Sequence, residues 1–331
     1  MKALVTGGAG YIGSVVSQLL LDRGHDVEVL DSLERGHRDA VPAEVPFHHV
    51  DLLDADELES VLTAGGFDAA LHFAAYALVG ESVDQPERYW RNNVVGTRNL
   101  LDGLRAAGTQ RLIFSSTCAC YGQPERVPIL EDEPEAPTNP YGRSKLTCDR
   151  MISDEAAAHG LGAVSLRYFN VAGASGRLGE DHEPETHLIP NVLFAAAGRT
   201  DAVCVHGTDY PTEDGTAVRD YLHVEDLARA HVLALEHTEA GRHRIFNLGS
   251  GTGYSVREVI ERAAAVTGRA VPVVEGPRRP GDPARLVAAN DRIRSELGWS
   301  PEHGLERMIA DAWAWFAAHP DGYPEHSRVA A

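Results

Sequence analysis

The stretch Thr6-Gly7-Gly8-Ala9-Gly10-Tyr11-Ile12-Gly13 follows the apolar run Lys2 to Thr6 without a break and leads directly into a helical pattern. Few folds accept that order. Glycines at a strand-to-helix turn let the backbone turn tightly and approach a pyrophosphate, while the helix opening offers unpaired amides and the positive end of its dipole. Gly7, Gly10, Tyr11, Ile12 and Gly13 are therefore read as cofactor-binding. Asp31 ends the next apolar run. A carboxylate there accepts hydrogen bonds from the adenosine ribose and repels a 2′-phosphate, which selects NAD over NADP. Ser32 beside it joins the cofactor set, and Asp51 and Leu52, after the third run, are expected near the adenine.

Short apolar runs alternate with helical patterns through the first half. Strands are expected over Lys2 to Thr6, Asp26 to Leu30, Phe47 to Val50, Ala69 to Phe73, Arg111 to Ser115 and Ala163 to Tyr168. Helices are expected over Tyr11 to Asp22, Asp54 to Leu62, Pro86 to Ala107 and Tyr141 to His159. This repetition marks an α/β fold with a Rossmann-type doubly wound parallel sheet, whose ligands sit at the carboxyl ends of the strands. Glycine and proline become denser beyond Asn170, with helices near Val224 to Glu236, Val256 to Val266 and Leu305 to His319. The expected division is a NAD-binding domain over 1–170 and a smaller α/β substrate domain over 171–331, with a segment around 217–247 returning to the first. The tail after about Tyr323 is expected to fray.

The chain has 331 residues, 43% of them hydrophobic, and sets 49 acidic against 30 basic residues for a formal charge of −19. Such repulsion argues against nucleic acid or an anionic membrane as the main partner. No apolar run reaches the ~18 residues of a membrane span, and a cytoplasmic location is expected. Four cysteines, Cys118, Cys120, Cys148 and Cys204, lack paired-ligand spacing and read as reduced thiols. His182-Glu183-Pro184-Glu185-Thr186-His187 places its histidines five apart with a proline between them. They cannot share a helical face as H-E-x-x-H requires, so no metal is expected.

Tyr141-Gly142-Arg143-Ser144-Lys145 carries the chemistry. Residues four apart on a helix share a face, so Lys145 can lie under Tyr141 and favour its phenolate. A tyrosine otherwise titrates near ~10, too high for a base at neutral pH. Upstream, Ser115-Ser116-Thr117 ends the fifth strand. Thr117 or Ser116 can hydrogen-bond a substrate hydroxyl while Tyr141 removes its proton.

Taken together, these motifs resemble the extended short-chain dehydrogenase/reductase family. The residues that carry the likeness run through most of the chain: TGGAGYIGS at Thr6 to Ser14, Asp31, HFAA at His72 to Ala75, VGES at Val79 to Ser82, NNVVGT at Asn92 to Thr97 and FSST at Phe114 to Thr117. Further on stand YGRSK at Tyr141 to Lys145, LRYFN at Leu166 to Asn170, DYPTEDGTAVRDYLHV at Asp209 to Val224, FNLGSG at Phe246 to Gly251 and RRPGD at Arg278 to Asp282. The paired DYPTEDGT and VRDYLHV blocks are the most specific.

The resemblance implies an isomerase that inverts C4 of a UDP-hexose. Tyr141 would take the 4-hydroxyl proton while hydride passes from C4 to NAD, and the resulting ketone would turn and take the hydride back. It implies Phe73, Ala74, Asn92, Ser115 and Tyr168 on the cofactor side, with Lys145 holding the nicotinamide ribose. Around the UDP-sugar it implies Asn170, Leu188, Arg219, Tyr221, Arg279 and Asp282, together with a homodimer through Asn92 to Ala107 and Tyr141 to His159. Ala77 stands where many members carry a cofactor-contacting lysine. His187 and His206 replace an asparagine and a phenylalanine near the uridine, and Leu286 lies where side-chain bulk gates N-acetylated sugars. UDP-N-acetylhexosamines, UDP-glucuronate and UDP-pentoses remain alternative substrates. A 4,6-dehydratase needs an Asp-Glu pair after the strand-end threonine, where this chain has Cys118 and Ala119. A non-catalytic NAD-binding protein would have no use for Thr117, Tyr141 and Lys145 together.

Overall fold

Residues 1–279 and 281–324 are described by the computed structural model. Pro280, inside the Arg278 to Asp282 stretch, and the tail from residue 325, for which fraying is expected, lie outside the described residues. β1 (Lys2–Thr6), α1 (Tyr11–Asp22), β2 (Asp26–Asp31), β3 (Phe47–His49), α2 (Ala55–Gly65) and β4 (Ala69–His72) follow the expected alternation. Next come α3 (Val79–Asp84), α4 (Pro86–Tyr89) and α5 (Gly96–Ala107). The last two are joined by a π-helical turn over Trp90–Val95, where the sequence predicts one unbroken α-helix.

β5 (Arg111–Thr117), α6 (Pro140–His159) and β6 (Gly162–Tyr168) complete the first half. β5 runs two residues past its expected end because β6 continues beside it, pairing Thr117 with Tyr168. Asn139 sets the start of α6: its side chain accepts from the Gly142 amide at 2.8 Å, and Pro140 fills the first helical position. Tyr141 is thereby fixed in the first turn.

The second half begins with β7 (Asn170–Ala172), α7 (Leu188–Ala197), β8 (Val203–His206), β9 (Val218–His223) and α8 (Val224–Glu236). It continues with β10 (His243–Leu248), β11 (Gly253–Ser255), α9 (Val256–Thr267), β12 (Val273–Gly276), β13 (Arg285–Leu286), α10 (Asp291–Leu297) and α11 (Leu305–Ala318).

Seven strands form the main sheet in the order β10-β6-β5-β4-β1-β2-β3, and every neighbouring pair is parallel. The connection reverses direction between β1 and β4, which opens a crevice at their carboxyl ends, the usual ligand site of such sheets. Alternation along the strands supplies two apolar faces. Leu4, Leu30, Leu112 and Phe114 pack with Leu58, Leu62, Leu100, Leu104 and Ile152. Val5, Val29, Leu71, Ile113 and Leu166 pack with Val16, Leu20, Leu227 and Val232 on the other face. A smaller sheet gathers around β9, which pairs with β7, β11 and β13.

Candidate active site and dinucleotide cleft

The glycine loop fits a dinucleotide through what its backbone leaves no room for. Gly7 has a positive φ of 73°, and a Cβ there would sit 2.4 Å from the Ala74 amide nitrogen. At Gly13 a Cβ would lie 2.2 Å from the Gly7 carbonyl oxygen. The loop is therefore drawn tight, and no side chain caps the start of α1 at Gly10, so its first amides are left to an anion. Phe73 and Ala74 close one side, both donating their amides to the Thr6 carbonyl. Tyr11 donates its phenol to the Gly173 carbonyl at 2.7 Å and ties the loop to the second half. Ile12 packs into the core.

Asp31 ends β2 with its carboxylate nearly buried, accepting from Ala9 N at 3.0 Å and Leu33 N at 2.8 Å. Burial raises its pKa, and those two amides oppose the rise. One hydrogen bond on each oxygen leaves lone pairs for ribose hydroxyls. Ser32 accepts loosely from Glu34 N. Asp51 is exposed after β3 and holds the Leu53 amide; Leu52 is buried against Gly96 of α5.

At the carboxyl ends of β5 and β6 the expected reacting set meets. Lys145 donates its ammonium to the Ser115 carbonyl at 2.8 Å and lies over the Phe114 ring. The Ser115 hydroxyl bonds the Tyr168 phenol. Thr117 accepts from Ala119 N at 3.1 Å, and its hydroxyl favours ionisation of the neighbouring Tyr141 phenol. Ser116 is turned away from this group, which corrects the expectation that it shares the task. Strand alternation sends its hydroxyl to Asp149 at 3.1 Å, where Arg167 donates to the same carboxylate oxygen at 2.8 Å.

Burial governs the titration of this set. It raises the Tyr141 phenol above its ordinary value, Tyr168 adds to the rise and the Thr117 hydroxyl opposes it. The expectation that Lys145 pulls the phenol toward the neutral range is not met, because burial outweighs the other influences on it. Burial also lowers Lys145 to about 8, which still leaves most of it charged at pH 7. Cys118 is raised to about 12 by burial and stays a thiol. It cannot serve the proton transfers a dehydratase needs.

The small sheet carries four of the expected substrate side chains, Asn170, Arg219, Tyr221 and Leu286. Register places Asn170 opposite Tyr221 and Leu286 opposite Arg219. Arg219 ion-pairs with Asp282, and the Asn170 amide donates to the Asp220 carbonyl. Leu286 packs with Cys118 against Tyr121, Ile129, Phe169 and Ala288, so it stands beside the Thr117 end of β5. His206 ends β8; burial lowers its pKa, and the neighbouring Arg279 lowers it further. His187 and Leu188 open α7, but His187 is engaged by Glu180 and Glu185 at 2.7 and 2.9 Å.

Several functional neighbours escape the sequence reading. Asn92 donates to Asn93, and it is Asn93 that is buried, holding both backbone groups of Tyr76 and the Ser144 hydroxyl. The Asn92-Asn93 doublet was the available signal. Beside Ala77, Tyr76 donates to Glu34 at 2.5 Å under the Arg88 guanidinium. Arg88 in turn bridges Glu34 and Glu81. A cation thus stands near the lost lysine, held on acidic partners.

Comparison with known proteins agrees with this geometry. The UDP-glucose 4-epimerase of Corynebacterium glutamicum is 55% identical over 322 residues, covering 97% of each chain. A UDP-glucose 4-epimerase from Brucella ovis in complex with NAD superposes with a TM-score of 0.92 at 48% identity, over 95% of this chain and 98% of that one. One from Bifidobacterium longum in complex with NAD+ and UDP gives 0.93 at 38%, over 98% and 100%. The same core that carries the glycine loop, the Tyr141 helix and β9 matches a family profile across residues 3–249, and by that match this chain belongs to the NAD dependent epimerase/dehydratase family.

Proposed function

We propose that the chain inverts C4 of UDP-hexoses, interconverting UDP-galactose and UDP-glucose through a transient 4-keto sugar nucleotide. The observation that carries this reading is the meeting of Thr117, Tyr141 and Lys145 at the carboxyl end of β5, on the sheet edge that also bears the glycine loop. NAD, when bound, accepts the C4 hydride and returns it. Tyr141 takes the 4-hydroxyl proton and later gives it back, so the reaction leaves no net oxidation. Thr117 holds the same hydroxyl and stabilises the phenolate through its hydrogen bond. Lys145 adds a positive charge behind the phenolate and, beside the donor it places on the Ser115 carbonyl, two more for the nicotinamide ribose.

Arg219, Arg279 and Asp282 are assigned to the UDP end. Two guanidinium groups suit a diphosphate because each offers paired donors at fixed geometry. The Arg219–Asp282 pair keeps one of them aimed before substrate arrives. Leu286, of middling bulk beside Cys118, leaves UDP-N-acetylhexosamines, UDP-glucuronate and UDP-pentoses as the alternative substrate classes. We assign 1–170 to the cofactor and 171–331 to the sugar nucleotide, with 217–247 returning; β10 at the edge of the main sheet supports that return. Exposed Val95 in the Asn92 to Ala107 region, with exposed Val83 and Trp90 just before it, supports a homodimer through Asn92 to Ala107 and Tyr141 to His159, and four free thiols agree with a cytoplasmic setting. None of the described helices is long and apolar enough to cross a membrane.

Purified protein should convert UDP-galactose to UDP-glucose with no accumulation of free NADH, and Tyr141→Phe should lower turnover by roughly 10² or more while NAD stays bound. Steady NADH release would identify a dehydrogenase instead, and near-normal turnover of the variant would remove Tyr141 from its role.

A further inference from the structure

We infer that the loop between β7 and α7 binds one zinc-class transition-metal ion through Glu180, His182, Glu185 and His187. The residues lie within the stretch whose five-residue histidine spacing rules out a helical metal motif. No helix is needed here, because the irregular chain before α7 turns all four side chains toward one another, the two glutamates nearly buried and the two histidines part-exposed. His187 Nδ1 stands 2.7 Å from Glu180 Oε1 and 2.9 Å from Glu185 Oε1. His182 Nδ1 stands 3.2 Å from the same Glu180 oxygen and 3.8 Å from Glu185 Oε2. Ligands at ~2.0–2.2 Å around a tetrahedral zinc ion lie roughly 3.3 Å from one another. The observed separations bracket that value, so small side-chain shifts would seat the ion.

Charge gives an independent reason. The Glu180 and Glu185 side chains are only 5% and 8% exposed, and buried carboxylates require compensation. Glu133, Glu155 and Asp149, likewise nearly buried, meet arginine in Arg126, in Arg98 with Arg105, and in Arg167, whereas Asp31 and Asp220 are held by backbone amides and Ser250. Among the described residues Glu180 and Glu185 ion-pair only with the two histidines. One dication would neutralise both carboxylates and leave the imidazoles neutral, a donor set that suits zinc.

The scaffold is already held. Arg35 donates to the Glu183 carbonyl at 2.8 Å, the Tyr323 amide donates to Asp181 at 2.9 Å, and Asn191 donates to the His187 carbonyl at 2.8 Å. Four protein ligands make a closed, structural site; it fixes the start of α7 beside the cleft and takes no part in the proposed proton transfer. A second imidazole–carboxylate group, His223 with Glu225 and His303, is less suited. His223 already uses both ring nitrogens, on the Glu225 amide and on Asp311.

The full chain, stripped with a chelator, should take up one equivalent of Zn2+ in competition with a chromophoric chelator, and Co2+ should give the intense visible bands of tetrahedral coordination. His182→Ala and Glu185→Gln should each weaken Zn2+ binding roughly tenfold or more, and Zn2+ should raise the thermal midpoint of the wild type but not of these variants. Circular dichroism of the metal-free variants keeps misfolding apart from lost ligation. Equal Zn2+ uptake by wild type and the folded His182→Ala/His187→Ala double variant would overturn the assignment. Loss of the Co2+ bands in His303→Ala would do the same, by moving the ion to the other group.

Discussion

The Lys145 ammonium donates to the Ser115 carbonyl at 2.8 Å, so the charged end of α6 is anchored on β5 and not on the tyrosine one turn before it. That bond places the cation at the strand edge where Thr117 reaches Tyr141. Positioning of the reacting set thus depends on β5 as much as on the helix.

Strand alternation makes opposite predictions for two adjacent hydroxyls. Thr117→Val removes the hydroxyl that favours the Tyr141 phenolate and should lower turnover on the order of 10- to 100-fold, the loss expected for one bond to a charged group. Ser116→Ala should leave turnover near the wild-type value, since Asp149 retains Arg167. Steady-state rates with UDP-galactose compare the two directly; equal losses would mean that the facing of β5 is misassigned.

Lys145 should set the alkaline limb of the rate profile. Burial brings it to about 8, below the ~10.4 of an unfolded chain. The folded state therefore holds fewer protons than the unfolded one between these values, so this group makes stability rise with pH across that window. Activity should move the other way, because the ammonium is lost as pH passes through about 8. The check is turnover against pH beside denaturation midpoints at the same pH values; Lys145→Arg should remove the alkaline fall.

The Asp149 carboxylate supports three elements at once, since α6 uses it to hold Ser116 of β5 and Arg167 of β6. Arg167 has no exposed surface, and stripping Asp149 leaves it with Glu135, a carboxylate it shares with Arg150. Asp149→Asn should cost about 1.5–3 kcal/mol of folding stability, the worth of a lost bond to a charged group, read by urea denaturation. Breaking the half-exposed Arg262–Glu306 pair should leave the midpoint almost unchanged, because solvent screens it.

Local signals were legible in the chain and long-range ones were not. The order from Lys2 to Tyr168 could be read because glycine turns and apolar periodicity are properties of neighbouring residues. The limit of β5 could not, since Ser115 to Thr117 stay extended only through pairing with Leu166 to Tyr168. That limit decides which hydroxyl meets Tyr141. The place of His243–Leu248 in the main sheet, in and just past the 217–247 segment expected to return to the first domain, rests on its register with Ala163 to Tyr168. At Glu180 to His187 the proline correctly excluded a helix, but a helix is only one way to bring imidazoles and carboxylates together.

The wide turn at Trp90–Val95 limits how this part of the chain can vary. A π-helical turn houses a residue beyond the α repeat, and each residue of an α-helix advances the face by about 100°. Deleting one residue between Trp90 and Val95 would relax the turn, yet it would also swing Leu100, Leu101 and Leu104 out of the core they fill, or else drag Asn93 off Tyr76. Substitutions in this segment can be absorbed singly, whereas a change in its length forces a choice between the packing behind the sheet and the loop in front of it.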